Sequence, residues 1–217
     1  MRIPKVSNYT SFDDKETVIL PEGEYNKPSY IMYDDRTRTK FIKTIEKYVR
    51  GSYEYKQLIE YLHTQLGMTY DMFFNQVSKE KGERIGIEIH HLPFTLYDIV
   101  NVILRKYEEE EIPLDPYKIA EEVTMCHYKG MVTLVPLSVT VHQLYHRGDI
   151  FIPVQYMDKG FVRFYQEYKP YMADYEPMLI KLVAMSKAFD MSTANTILRK
   201  HLIYLKNFGY VSIPKNL

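Results

Sequence analysis

Four of the seven histidines of this 217-residue chain fall in two places: the adjacent pair His90-His91, and His142 with His146, four residues apart. Imidazoles at a spacing of four share one helix face, with Cβ atoms roughly 5–6 Å apart, and can grip a single metal ion. The residues around His142 and His146 read as a short helix. Ser138 is a good N-cap, and Gly148 supplies a left-handed stop. The adjacent pair closes the alternating segment Ile85-Gly-Ile-Glu-Ile-His-His91, whose period of two predicts a strand over 84–91, ended by Leu92-Pro93. Folding that helix against that strand lets three imidazoles converge. His90, His142 and His146 are expected to ligate one divalent ion (Zn, Ni, Mn or Mg), with His91 beside them as general base. A metal-held phosphate oxygen and a histidine that deprotonates water would hydrolyse a phosphodiester.

These residues need elements to position them. Residues 1–35 read as an irregular arm, interrupted by Pro4, Pro21, Gly23 and Pro28. A helical period then starts at Thr37, with Phe41, Ile42, Ile45, Tyr48 and Val49 on one face, and ends at Gly51. Further helices are expected over 52–66 and, briefly, from Thr69 with Met72, Phe73 and Val77 inward. Between the two histidine sites lie a Thr95-capped helix and a second helix opened by Asp115-Pro116 and reaching Cys126-His127. Residues 131–137 form a second β-type segment, and 149–153 another extended piece. Helices follow around Phe161, Phe164, Tyr165 and Tyr168, over 176–189 and over 192–208, with a short strand at 210–213.

Several features carry a plain reading beside a functional one. The run from Glu108 to Glu111 is read as a solvated helix end rather than a metal site. Cys126-His127 could be a nucleophile or ligand pair, but no second cysteine or acidic spacing supports that. His63 and His201 are ordinary helix residues. The pattern over 174–213 suits either a winged helix-turn-helix or a helical lobe that packs the core.

Charge is balanced, with 28 basic and 28 acidic residues, so net charge points to no partner. One cysteine excludes an internal disulfide and a cysteine-built zinc site. No apolar run is long enough to span a membrane, and the first residues lack a signal-peptide core. A cytoplasmic location without membrane contact is expected.

The histidine pattern resembles the HNH (ββα-metal) nucleases and is most similar to the colicin-type DNases. In that family a strand ends in His-His and a second strand carries an asparagine. Nine residues further on, a helix carries the first of two histidines four apart. Here Ile-Glu-Ile-His90-His91 matches the first strand, Thr133-Leu-Val-Pro-Leu the second, and His142-Gln-Leu-Tyr-His146-Arg-Gly the helix. The resemblance implies His90, His142 and His146 as ligands and His91 as base. It also implies Arg84 near the scissile phosphate and Glu88 orienting Arg84 or a ligand. Two departures stand out. Thr133 replaces the asparagine, and residues 92–132 make the interval longer than in the compact motif.

The expected fold is therefore α+β: a ββα-metal core over 80–156 with a helical insertion at 94–130, an N-terminal arm and helical region over 1–79, and a helical region over 157–217. The expected activity is metal-dependent cleavage of DNA, with catalytic residues His91, Arg84, Glu88 and Thr133. Arg84, Lys129, Arg147 and Lys159 would meet the phosphate backbone. Enzymes of this kind and size are often phage or mobile-element nucleases. The alternative is a catalytically impaired relative that serves as a DNA-binding or structural component of a phage.

Overall fold

The computed structural model describes residues 34–73 and 86–188. Along the described chain run α1 (Asp35–Gly51), α2 (Tyr53–Thr64), β1 (Ile87–Leu92), α3 (Leu96–Glu109), α4 (Pro116–Tyr128), β2 (Thr133–Ser138), α5 (Val139–His146), α6 (Gly160–Tyr168) and α7 (Glu176–Lys187). They belong to two compact units. The first takes 34–60, Pro93–Val132 and Lys159–Ala173. The second takes 61–73, 86–92, Thr133–Asp158 and 174–188.

The first unit is helical. Asp34 caps α1, its carboxylate accepting the Thr37 N–H at 2.8 Å, so the helix starts ahead of the expected Thr37. Its stripe of Phe41, Ile42, Ile45 and Val49 is buried, as the 3.6-residue period requires. Ser52 ends the helix and opens the next one: its hydroxyl donates to the Val49 carbonyl and accepts the Tyr55 N–H. Thr95 and Asp98 form a capping box on α3, and Asp115 caps α4 with Pro116 in its first turn. Val100, Val102, Ile103 and Leu104 of α3 pack with Ile119, Ala120 and Val123 of α4, all fully buried. Phe164 of α6 joins this core, its ring 5.7 Å from that of Phe94.

The acidic run is only partly a solvated end. Arg38 Nη1 donates to both Glu108 oxygens at 2.6 and 2.8 Å, and Tyr171 donates to Glu110. Composition around Glu108–Glu111 could not show this, because Arg38 is 70 residues away in sequence.

The second unit holds a two-stranded antiparallel sheet. Ile87 pairs with Ser138, Ile89 with Pro136, His90 with Val135 and Leu92 with Thr133. Proline inside a buried strand normally removes a ladder bond. Here the Pro136 carbonyl faces away from β1 and accepts the Met72 N–H at 2.9 Å. In an antiparallel pair the N and O of one residue face the same side, so Pro136 sits where β1 needs no N–H from it. Two residues on, the parity repeats, and the Ser138 N–H also faces outward. It donates to Asp71 at 2.6 Å. The segment 69–73 therefore runs beside β2. The short helix expected from Thr69 does not begin within it, because Asp71 and Met72 are engaged by β2; Val77 lies outside the described residues.

The structure supports an α+β description at the level of helices with one small sheet. It does not by itself establish an HNH core. Residues 1–33 of the expected arm, Arg84, Ile85, His201 and the expected elements at 192–208 and 210–213 lie outside the described residues, while Asp34 and Asp35, read as the end of the arm, belong to the cap and first turn of α1.

Candidate metal centre

The site is built by β1 and α5 of the second unit. Side chains two apart on a strand share a face, so Glu88 and His90 project together while His91 leaves on the opposite side. Ser138 caps α5 through the Val141 N–H at 3.4 Å. At the other end Gly148, with φ of +76°, closes a Schellman motif. Its N–H donates to the Tyr145 carbonyl, and the Asp149 N–H donates to that of Leu144, both at 2.9 Å. The eight-residue helix is thus fixed at both ends. His142 and His146 are left on one face, one turn apart.

His90, His142 and His146 come together. Their ring centroids are 4.4 Å (His90–His142), 5.1 Å (His90–His146) and 4.5 Å (His142–His146) apart. One nitrogen from each lies within 4.8 Å of the other two. His90 is buried, His142 half-buried and His146 exposed, so the cluster opens from the sheet toward the surface. Tyr145 walls the buried end, its ring 5.1 Å from that of His90. Glu88 takes a hydrogen bond from His142 Nδ1. That fixes the proton on Nδ1 and leaves the Nε2 lone pair facing the cluster, where His146 Nε2 lies 2.8 Å away.

The other candidates are placed as follows. His91 is 4% exposed, buried within the sheet layer. The Thr133 hydroxyl donates to the Asp158 carboxylate at 2.8 Å, tying the start of β2 to the segment before α6. Arg147 is paired with Asp149 at 2.8 Å, while Lys129 and Lys159 are exposed. The Cys126-His127 pair is structural. Burial pushes the Cys126 thiol up to about 11 and the His127 imidazole down to about 4. A neutral thiol beside a neutral imidazole makes a poor nucleophile pair. His127 Nδ1 donates to the Val123 carbonyl at 2.8 Å, and Cys126 Sγ lies 3.3 Å from the Tyr168 hydroxyl.

Two aspartates that support the site were missed by sequence reasoning. Asp71 is fully buried and accepts the Ser138 and Phe73 N–H groups; Asp158 holds Thr133. A single aspartate, whether among apolar residues like Asp71 or between Met157 and Lys159 like Asp158, carries no periodic signal. The basic face of α1 was legible and overlooked. Arg36, Lys40, Lys43 and Lys47 recur at helical spacing opposite the apolar stripe and line one groove with Asp35, Thr39 and Thr44.

Residues 3–207 match the family described as Bacteriophage G278-like virion protein. The chain belongs to that family. No curated protein and no solved structure matches it. Membership of a virion protein family corrects the resemblance to HNH nucleases and the endonuclease activity drawn from it. The motif misled for a physical reason. Two adjacent histidines at a strand end and two histidines four apart on a helix are short patterns, and their spacing alone does not distinguish a nuclease from a scaffold. The roles of Arg84, Glu88 and Thr133 were drawn from that resemblance, and that of His91 from its place beside the three ligand candidates; on β1 the His91 side chain lies on the strand face opposite His90. The phage context remains. As for membranes, no helix among the described residues is long and apolar enough to cross one.

Proposed function

We propose that this chain is a structural component of the phage particle, contributing a folded building block rather than a reaction. The observation that carries this reading is the family match across residues 3–207, which takes in both compact units. The chemistry of the interior agrees with it. The buried Cys126 and Tyr168, the half-buried Glu122 and the fully buried Asp71 carboxylate are all engaged in holding backbone or neighbouring side chains. The test is to purify particles through a density gradient and a high-salt wash, then quantify the chain by mass spectrometry. It should remain at a fixed copy number per particle. Recovery only from the unassembled fraction would end this reading.

A second reading, contact with packaged DNA, is favoured by the cationic groove on α1. Neutralised phosphates release counterions, so affinity should fall with salt at a slope of about 0.9 per phosphate contacted. Replacing Arg36, Lys40 and Lys43 with Gln should flatten that slope by roughly 2–3. An unchanged slope would rule out α1 as the contact.

A further inference from the structure

We propose that His90, His142 and His146 bind one first-row transition-metal ion that clamps α5 to β1, with Glu88 as the positioning residue for His142. The role is structural and distinct from the particle-component reading; it stands or falls on the isolated chain.

Three observations lead there. The first is convergence: three imidazoles from two elements present nitrogens within 4.8 Å of one another. Nitrogens held tetrahedrally at about 2.0–2.1 Å from zinc would be roughly 3.3 Å apart. The His142–His146 pair, at 2.8 Å, must open slightly and the others close. Ring rotation about χ1 and χ2 moves imidazole nitrogens in that range without moving the backbone.

The second is tautomer control. Glu88 holds the Nδ1–H of His142, giving the carboxylate–histidine arrangement that orients and strengthens metal-ligating imidazoles. The His142 Nε2 lone pair is thereby aimed at the cluster. In the metal-free chain it accepts from His146 Nε2. A cation takes the place of that proton, and neutral His146 then carries its proton on Nδ1.

The third is the support behind the ligands. Both ends of α5 are pinned, by Ser138 and Asp71 at the start and by the Gly148 motif at the finish. His90 lies in the middle of a paired strand. Ligands on fixed elements lose little freedom on binding.

The donor set selects the metal class. Three neutral imidazoles suit Zn(II), Co(II), Ni(II) or Cu(II), whereas Mg(II) demands oxygen ligands and keeps its waters. This narrows the broader choice left open by the sequence. With His146 exposed, the remaining coordination position faces solvent and is open to water.

The test uses the full chain, stripped with a chelator and titrated with Zn(II) and with Co(II). The readouts are calorimetry, metal content after gel filtration, and the visible Co(II) spectrum. One ion per chain should bind, with an intense Co(II) spectrum of low coordination number. The thermal midpoint should rise by roughly 5–10 °C at a hundredfold excess over the dissociation constant. His146→Gln, at an exposed position that leaves the interior intact, should abolish the midpoint rise and the spectrum. Glu88→Gln should keep the one-to-one stoichiometry and weaken affinity roughly tenfold or more. His63→Gln, on another helix, should bind like the natural chain. Folding of each variant is checked by its metal-free melt. Equal binding by the natural chain and His146→Gln overturns the proposal. So does the absence of any metal-dependent midpoint change in a natural chain that melts cooperatively.

Discussion

At the residue scale, three helices end in the same way and differ at one position. After α4 and α5 the left-handed residue is glycine: Gly130 with φ of +63° and Gly148 with φ of +76°. After α3 it is Glu111, with φ of +54°. The hydrogen bonds are those of the same motif, with Ile112 N–H donating to the Tyr107 carbonyl at 2.8 Å and Glu111 N–H to that of Glu108 at 3.3 Å. An L side chain costs roughly 1–2 kcal/mol in that conformation. The carboxylate also sits at the negative end of the helix dipole. Glu111→Gly should therefore stabilise the fold by about 1 kcal/mol in urea unfolding, despite glycine's greater freedom in the unfolded chain. A loss of stability would mean that the Glu111 side chain does something the backbone does not reveal.

His127 gives a pH dependence of known sign. Burial is the main cause that lowers its pKa from 6.5 to about 4, with the charge of Arg50 adding to it; Tyr55 meets its ring edge-on. The folded state keeps the ring neutral, while the unfolded chain takes up a proton below pH 6.5. The stability it contributes is present above that pH and is lost as pH falls toward 4. The loss is on the order of 3 kcal/mol. His127→Gln should reduce stability at pH 7 and flatten the decline between pH 6.5 and 4. Parallel pH profiles for the two chains would place the acid sensitivity elsewhere.

At the scale of elements, α5 depends on a residue distant in sequence. Asp71 accepts two backbone N–H groups, one of them on the N-cap residue of α5. Charge-assisted bonds of this kind contribute roughly 1.5–3 kcal/mol each, and orphaned donors cost a similar amount. Asp71→Ala should destabilise the chain by about 3 kcal/mol, with Asn in its place recovering part. Chemical denaturation measures both. A variant as stable as the natural chain would show that water replaces the carboxylate easily. The elements themselves were largely legible. The caps at Ser138, Thr95 and Asp115, the stop at Gly148, and the end of β1 before Pro93 all follow from chemistry written locally; α1 does end at Gly51, but Ser52 makes the C-cap. The segment after Thr69 was not legible. Its apolar spacing suits a helix, but its neighbour β2 engages its backbone.

At the scale of the whole molecule, two compact units assembled from separated stretches imply an uneven distribution of stability. The interior of α3 includes Val100, Val102, Ile103 and Leu104, none with measurable exposure, whereas α7 buries only Leu182 and Ser186. Hydrogen exchange should find the slowest amides in α3 and much faster exchange in α7. Comparable rates in the two helices would contradict the burial pattern. Family membership belongs to this scale as well. It rests on 205 aligned positions, 3 through 207, whereas the nuclease resemblance rested on a few side chains in one third of the chain.

By itself the sequence determined helices α1 to α7, the strand that carries His90-His91 and the shared face of His142 and His146, because periodicity and capping are local. Only the tertiary structure decided that Glu88 meets His142, that Asp71 anchors α5 and that Arg38 engages Glu108. Each of those contacts joins residues more than 50 positions apart, and their meeting is set by which apolar faces pack together, not by any pattern within reach of either partner.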